Sequence, residues 1–226
     1  MSVCVGSARR SEWAFFGSSP ALSFVLMRRL PAEKRREQLL DCAMDLFARQ
    51  GYARATTAEL AKAAGVTEPI IYRHFSSKRD LFIALIERTA RDTLRHWEQV
   101  LSSATDPAQR MKRLIGDNPM VRDDGRAPYR VFLQAITEVN DPDIRQAVSD
   151  HISNLHAFLA REVKRAQDDR KLTKVFSAEL VAWALIHVGL GYGVLGAMGV
   201  PHQGEDAKGN HVQNMLERLL VGRSSE

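Results

Sequence analysis

Residues 56–75, TTAELAKAAGVTEPIIYRHF, constrain this chain more than any other stretch. They read as two short helices joined by a turn at Gly65. Thr56 is a good N-cap, and Glu59 stands three residues on, the spacing of a capping box. Leu60, Ala61 and Ala64 share one helical face, and the two alanines allow a second helix to approach closely. Gly65 sits where a helix ends with positive φ. Thr67 is placed to cap the next helix, and Pro69 falls in its first turn, where a missing N–H is harmless. Ile71, Tyr72 and Phe75 give that helix an apolar side. Helix, glycine turn, helix is the pattern that presents its second member to the major groove of DNA.

Charge follows the same stretch. From Arg28 to Asp80 there are 11 basic and 7 acidic side chains, against 19 of each from Leu81 to Glu226. A basic excess confined to the helix-turn-helix region is the footprint expected for phosphate binding, and equally that of a solvated surface. The front of the preceding helix adds Lys34, Arg35 and Arg36, with the same two readings.

The rest of the chain reads as helix. Pro31 opens a helix that ends near Arg49, with Leu39, Leu40, Ala43, Leu46 and Phe47 as its buried stripe. Ser77 caps a fourth helix, with Asp80 at capping-box distance, and no Gly or Pro follows until Pro107, so this helix can be long. Asp141 with Pro142 opens another, whose apolar positions include Ile144, Val148, Ile152, Leu155, Leu159 and Val163. Ser177 caps the next, and a Gly-bearing linker precedes a last helix starting at His211. Residues 181–200 carry no formal charge, which fits a membrane span by length and a largely buried dimer-core helix by its five glycines and His187. The dimer-core reading is preferred. Residues 1–27 differ from all this: a Gly-Ser-Ser-Pro break and scattered aromatics point to a disordered tail, and Met27 is a candidate start.

Catalytic chemistry has no foothold in the sequence. No GxSxG, Walker loop or nucleotide fingerprint occurs, and Asp168 and Asp169 lie in a solvated Arg-Lys-rich stretch. Cys4 and Cys42 make no disulfide framework, which suits a reducing cytoplasm. No CxxC or HExxH occurs, and His151 and His156, five apart, share a helix face poorly. No metal or cofactor is therefore expected.

The joint pattern resembles the tetracycline-repressor (TetR) family of bacterial transcription regulators. The residues that carry the resemblance are Leu46-Phe47, Gly51-Tyr52, Thr56-Thr57, Leu60-Ala61, Ala64-Gly65-Val66-Thr67, Tyr72, His74-Phe75, Lys78 and Leu81-Phe82. Beyond them the likeness is one of helical layout and length. The resemblance implies an all-α homodimer with a three-helix DNA-binding domain at residues 28–78. Residues 79–226 would form a larger effector-binding and dimerisation domain, paired through 177–199 and 211–220. It implies a repressor that blocks a palindromic operator in double-stranded DNA and is released by a small-molecule effector, probed through a shift of the long fourth helix. An activator, a DNA-organising protein without effector, and a membrane-tethered regulator using residues 181–200 are the competing readings.

Site residues follow from position. Thr56, Thr57 and Lys78 lie at helix N-termini, where phosphate is favoured. Tyr72 and His74 are similar to family positions that contact the DNA backbone, with packing as the alternative for each. Thr67, Glu68 and Arg73 are candidates for base or groove contact, and Pro69 and Ile70 for apolar contact with a thymine methyl. Glu68 equally suits the first turn of a helix, where its charge meets the dipole. In the C-terminal half, Trp97, Tyr129, Phe132, Phe158, Trp183 and His187 are candidates to line an apolar effector pocket, with ordinary core packing as the alternative. His187 is the polar group expected to orient the ligand.

Overall fold

The computed structural model describes residues 30–116, 126–201, 204–208 and 211–220. The expected tail at 1–27 lies outside them. Among the described residues the regular secondary structure is helical, joined by turns and loops, apart from an isolated antiparallel bridge between Glu205 and His211. The helices are α1 (Ala32–Gln50), α2 (Thr57–Ala64), α3 (Glu68–Tyr72), α4 (Lys78–Ser102) and α5 (Pro107–Gly116). Then come α6 (Arg126–Gln134), a 3₁₀ turn (Ala135–Glu138), α7 (Pro142–Asp168), α8 (Ala178–Ala197) and α9 (Val212–Leu220). The fold is all-α.

Each boundary has a local cause. The Thr56 hydroxyl accepts from the Glu59 N–H at 3.2 Å, and the Glu59 carboxylate accepts from the Thr56 N–H at 3.0 Å, completing the capping box. Donation to its carboxylate by the Thr56 hydroxyl, the Thr56 N–H and the Gln50 amide holds the Glu59 carboxyl below its ordinary pKa. Gly65 takes φ 66°, ψ 34°, and the Val66 N–H reaches back to the Ala61 carbonyl at 2.9 Å, a Schellman closure. Ser77 caps α4 through the Asp80 N–H at 3.0 Å, but Asp80 answers the Ser76 N–H at 2.8 Å, so the reciprocal bond lands one residue early. Thr67 stands at the N-cap of α3 without a side-chain capping bond. Asp141 caps α7 and Ser177 caps α8.

Two apolar cores result. The upper one joins α1–α3 to the first turns of α4 through Leu40, Phe47, Leu60, Ile71, Phe75 and Phe82, and takes in Phe132 and Ile144. The lower one gathers Trp97 and Leu101 of α4, Met111 of α5, Phe158 and Val163 of α7, and Val181 and Ile186 of α8. At 25 residues α4 is about 37 Å long and belongs to both. α8 is long and apolar enough to cross a membrane by length and composition, yet only 22% of its apolar window is buried inside the chain. Its exposed side chains include Leu180, Trp183, Val194 and Leu195, with exposed Met198 at its C-cap.

Candidate nucleic-acid interface

The Gly65 turn brings the start of α2 against α3. Thr57 Oγ1 donates to Glu68 Oε1 at 2.6 Å and lies 3.2 Å from the Tyr72 hydroxyl. Three of the sequence candidates are thus one hydrogen-bonded group. Tyr72 is 50% exposed, so it is not a core aromatic; the core position of α3 belongs to Ile71. Thr56, Thr67, Pro69 and Arg73 are exposed, and Ile70 and His74 are half-buried. Together they form a polar, partly cationic surface around a rigid turn. Arg36 of α1 lies 4.7 Å above the Phe75 ring, which places a guanidinium beside this face.

Lys78 differs from the rest. Its ammonium is directed into the protein, donating to the carbonyls of Tyr52 at 3.0 Å, Ala53 at 3.3 Å and Ala55 at 3.0 Å. It also stands 4.5 Å over the Tyr52 ring, which stacks on Phe82 at 4.1 Å. The lysine that position suggested for phosphate is occupied in closing the loop between α1 and α2. Its backbone remains at the N-terminus of α4.

Further contacts, unread in the sequence, tie this surface to the rest. Gln134 Nε2 donates to the Phe47 carbonyl and its Oε1 accepts from the Tyr52 N–H, both at 2.8 Å. Arg79 pairs with Asp141 and Asp143 at the start of α7, which lowers the Asp141 pKa and raises that of Arg79. Arg88 of α4 reaches Asp41 at 2.7 Å and Glu37 at 3.3 Å on α1.

The five effector candidates whose side chains are described do not converge. Phe132 lies in the upper core, Trp97 and Phe158 in the lower. Trp183 and His187 lie on the exposed side of α8, where Trp183 stacks on His156 at 4.4 Å. The Tyr129 side chain lies outside the described residues. The buried imidazole is instead that of His151, edge-on to Phe132 at 4.9 Å. Its signal was present in the sequence: position 151 is three after Val148 and four before Leu155, on the apolar stripe of α7.

The family model for "Bacterial regulatory proteins, tetR family" matches residues 39–85, from α1 into α4. The HTH-type transcriptional regulator TtgR of Pseudomonas putida is 32% identical over 146 residues, covering 60% of this chain and 69% of TtgR. The chain belongs to the tetR family of bacterial regulatory proteins. As a member of that family it is a regulator rather than an enzyme. The HTH-type transcriptional activator FasR of Mycolicibacterium smegmatis is 39% identical over 87 residues, which is 38% of this tetR-family chain and 40% of FasR. The chain thus spans about two fifths of FasR's length in that match. A Saccharomonospora viridis regulator solved in complex with choline has the same fold, with a TM-score of 0.68, 24% identity, and coverage of 75% of this chain and 88% of its own.

Proposed function

We propose that this tetR-family chain acts in the cytoplasm as a homodimeric repressor, binding a palindromic operator through α2 and α3. The observation that carries this reading is the Thr57–Glu68–Tyr72 group, fixed beside exposed Arg73 on the helix-turn-helix. Tyr72 and His74, with Thr56 and Thr57 at the start of α2, contact phosphate and set register. Thr67, Glu68, Pro69, Ile70 and Arg73 meet base edges. Lys78 acts at one remove, by holding the loop that carries α2. The apolar outer side of α8, together with α9, supplies the dimer contact.

Release by an effector requires that the ligand bind the DNA-free arrangement better than the DNA-bound one. The tie of Gln134 to the end of α1 and that of Arg79 to the start of α7 offer routes for such coupling. TtgR's 32% identity extends over 146 residues, beyond the reach of the DNA-binding helices alone. Similarity to FasR, which is named an activator, supports activation as the second reading.

Selection of bound duplexes from a random pool tests the proposal. Recovery of a palindrome with half-sites about one helical turn or more apart is expected. Uniform recovery would remove it. Placing the recovered site over or upstream of a reporter promoter separates repression from activation.

A further inference from the structure

Where α4 crosses α7, a polar layer interrupts the apolar core. Along α4, Ile86 belongs to the upper core and Trp97 to the lower, and the buried side chains between them are Thr89 and Thr93. Along α7, Val148 and Ile152 pack on the upper core and Leu155 in the lower, with His151 at the changeover. α4 and α7 pack on one another, and Arg79 ties the start of α4 to Asp141 and Asp143 at the start of α7, so positions about ten residues along each helix lie at a similar depth.

Two of the three side chains are unsatisfied. Thr93 Oγ1 donates to the Thr89 carbonyl at 2.8 Å. Thr89 Oγ1 and both ring nitrogens of His151 have no hydrogen-bond partner, at 4% and 1% residue exposure. An orphaned buried polar atom costs about 1–3 kcal/mol, and native cores contain few. Valine at 89 and leucine at 151 would avoid that cost, so the layer has the character of a site awaiting a partner.

We propose that this layer binds the effector: an uncharged, largely apolar molecule whose hydroxyl is held by His151 and Thr89. The proposal rests on the effector-responsive reading above, and it transfers the orienting role from exposed His187 to buried His151. The chemistry limits the ligand. A neutral imidazole offers one donor and one acceptor, and a hydroxyl is both. Burial alone lowers the His151 pKa to about 4, so the ring is neutral at physiological pH. Among the described residues the buried ionised side chain is Glu162, and it is committed to Arg110 at 2.7 Å. A cation or an anion therefore finds no free counter-charge here. The Phe132 ring supplies an apolar wall beside the imidazole.

The test uses 1-naphthol, an apolar molecule with one hydroxyl, binding the full chain in the absence of DNA and read by its own fluorescence. Saturable binding is expected, at least tenfold weaker for His151→Leu and severalfold weaker for Thr89→Val. Val175→Ala, at an 80% exposed position, should leave it unchanged, and 1-naphthyltrimethylammonium should not bind. No saturation up to the solubility limit would overturn the site, as would equal binding by the two core variants. A layer that only traps water gives that result, with both variants melting higher than wild type. Thr89→Val is nearly isosteric and keeps the test valid should the leucine variant misfold. DNA binding is followed separately by anisotropy. If 1-naphthol binds through His151 while the protein keeps its DNA, the release reading falls and the site stands. If 1-naphthol releases DNA equally from wild type and His151→Leu, the site falls and the release reading stands.

Discussion

The ammonium of Lys78 donates to the backbone carbonyl of Tyr52 at 3.0 Å and stands 4.5 Å above the same residue's ring. Two further carbonyls, of Ala53 and Ala55, complete its shell. The contact fixes the segment between α1 and α2, and through it the start of the helix-turn-helix. Lys78→Met keeps much of the aliphatic stem and removes the charge-assisted bonds. A loss of about 2 kcal/mol in unfolding free energy is expected, the range for hydrogen bonds to a charged group. The slope of DNA affinity against salt should stay at its wild-type value, because the ammonium neutralises no phosphate. Urea melts and anisotropy at several salt concentrations measure both; a slope reduced by about one, with stability intact, would return Lys78 to the DNA.

Tyr72 and Glu68 share Thr57, so their variants should separate by kind. Tyr72→Phe removes the hydroxyl from an exposed ring and leaves the α3 core at Ile71 untouched. It should weaken binding severalfold on all DNA sequences alike, as loss of a positioning contact does. Glu68→Ala frees Thr57 and deletes the carboxylate, and should change which sequences are preferred. Repeating the random-pool selection with each variant distinguishes these outcomes. An unchanged consensus with Glu68→Ala would exclude base contact by that side chain.

Gln134 spans the two halves with one amide. Its Nε2 serves the Phe47 carbonyl and its Oε1 the Tyr52 N–H. Gln134→Glu keeps the acceptor and places a carboxylate oxygen against a carbonyl. A destabilisation of about 1–3 kcal/mol is expected from the carboxylate facing the Phe47 carbonyl, which keeps the Gly51 N–H at 2.9 Å. Gln134→Ala should also expose the Tyr52 amide to exchange, which native-state hydrogen exchange reads at that residue. Protection equal to wild type would show that the loop is held by Lys78 alone.

Local features were legible in the sequence and long-range ones were not. The capping box of Thr56 and Glu59 is complete within three residues, so its pattern and its geometry coincide. The targets of Lys78 lie 23 to 26 residues away, and those of Gln134 82 and 87 away. Nothing in the local pattern specifies such partners. The choice between His151 and His187 shows a second limit. α7 has a clear apolar stripe, and His151 falls on it. α8 is apolar on every side, so periodicity gives no inward face, and His187 is exposed on it. The helix-turn-helix reading succeeded because small and special residues, Gly65 above all, do work that other residues cannot do at that φ.

His151 should give the fold a pH dependence. In the unfolded chain its imidazole titrates near 6.5, and in the fold near 4, through burial. Between those values the unfolded chain holds more protons, so stability rises with pH. The contribution is complete above about pH 6.5 and is lost as pH falls toward 4, with an upper limit of about 3 kcal/mol. Urea midpoints at pH 7 and pH 5 should differ more for wild type than for His151→Leu. Equal differences would mean that the imidazole protonates in place, reaching water or a partner.

The exposed face of α8 should be where two copies meet. Trp183 at 39% exposure stands with Leu180 and Leu195 on a helix that few polar side chains interrupt, and Met198 at 72% follows at its C-cap. Burying each such side chain fully is worth about 1.5–3 kcal/mol, and a two-fold interface uses every one of them twice. Sedimentation of the wild type should give twice the 25.3 kDa chain mass. Leu195→Glu should shift it to the single-chain mass, with helix content unchanged, since Leu195 is exposed within the chain. Because a palindrome is gripped by two linked modules, the monomeric variant should lose operator affinity by 100-fold or more while retaining weak binding to a half-site, about the gain expected of a bivalent grip. A Leu195→Glu protein that still sediments as a dimer would place the interface elsewhere, and one that is monomeric yet binds the full operator as tightly as wild type would separate DNA recognition from pairing altogether.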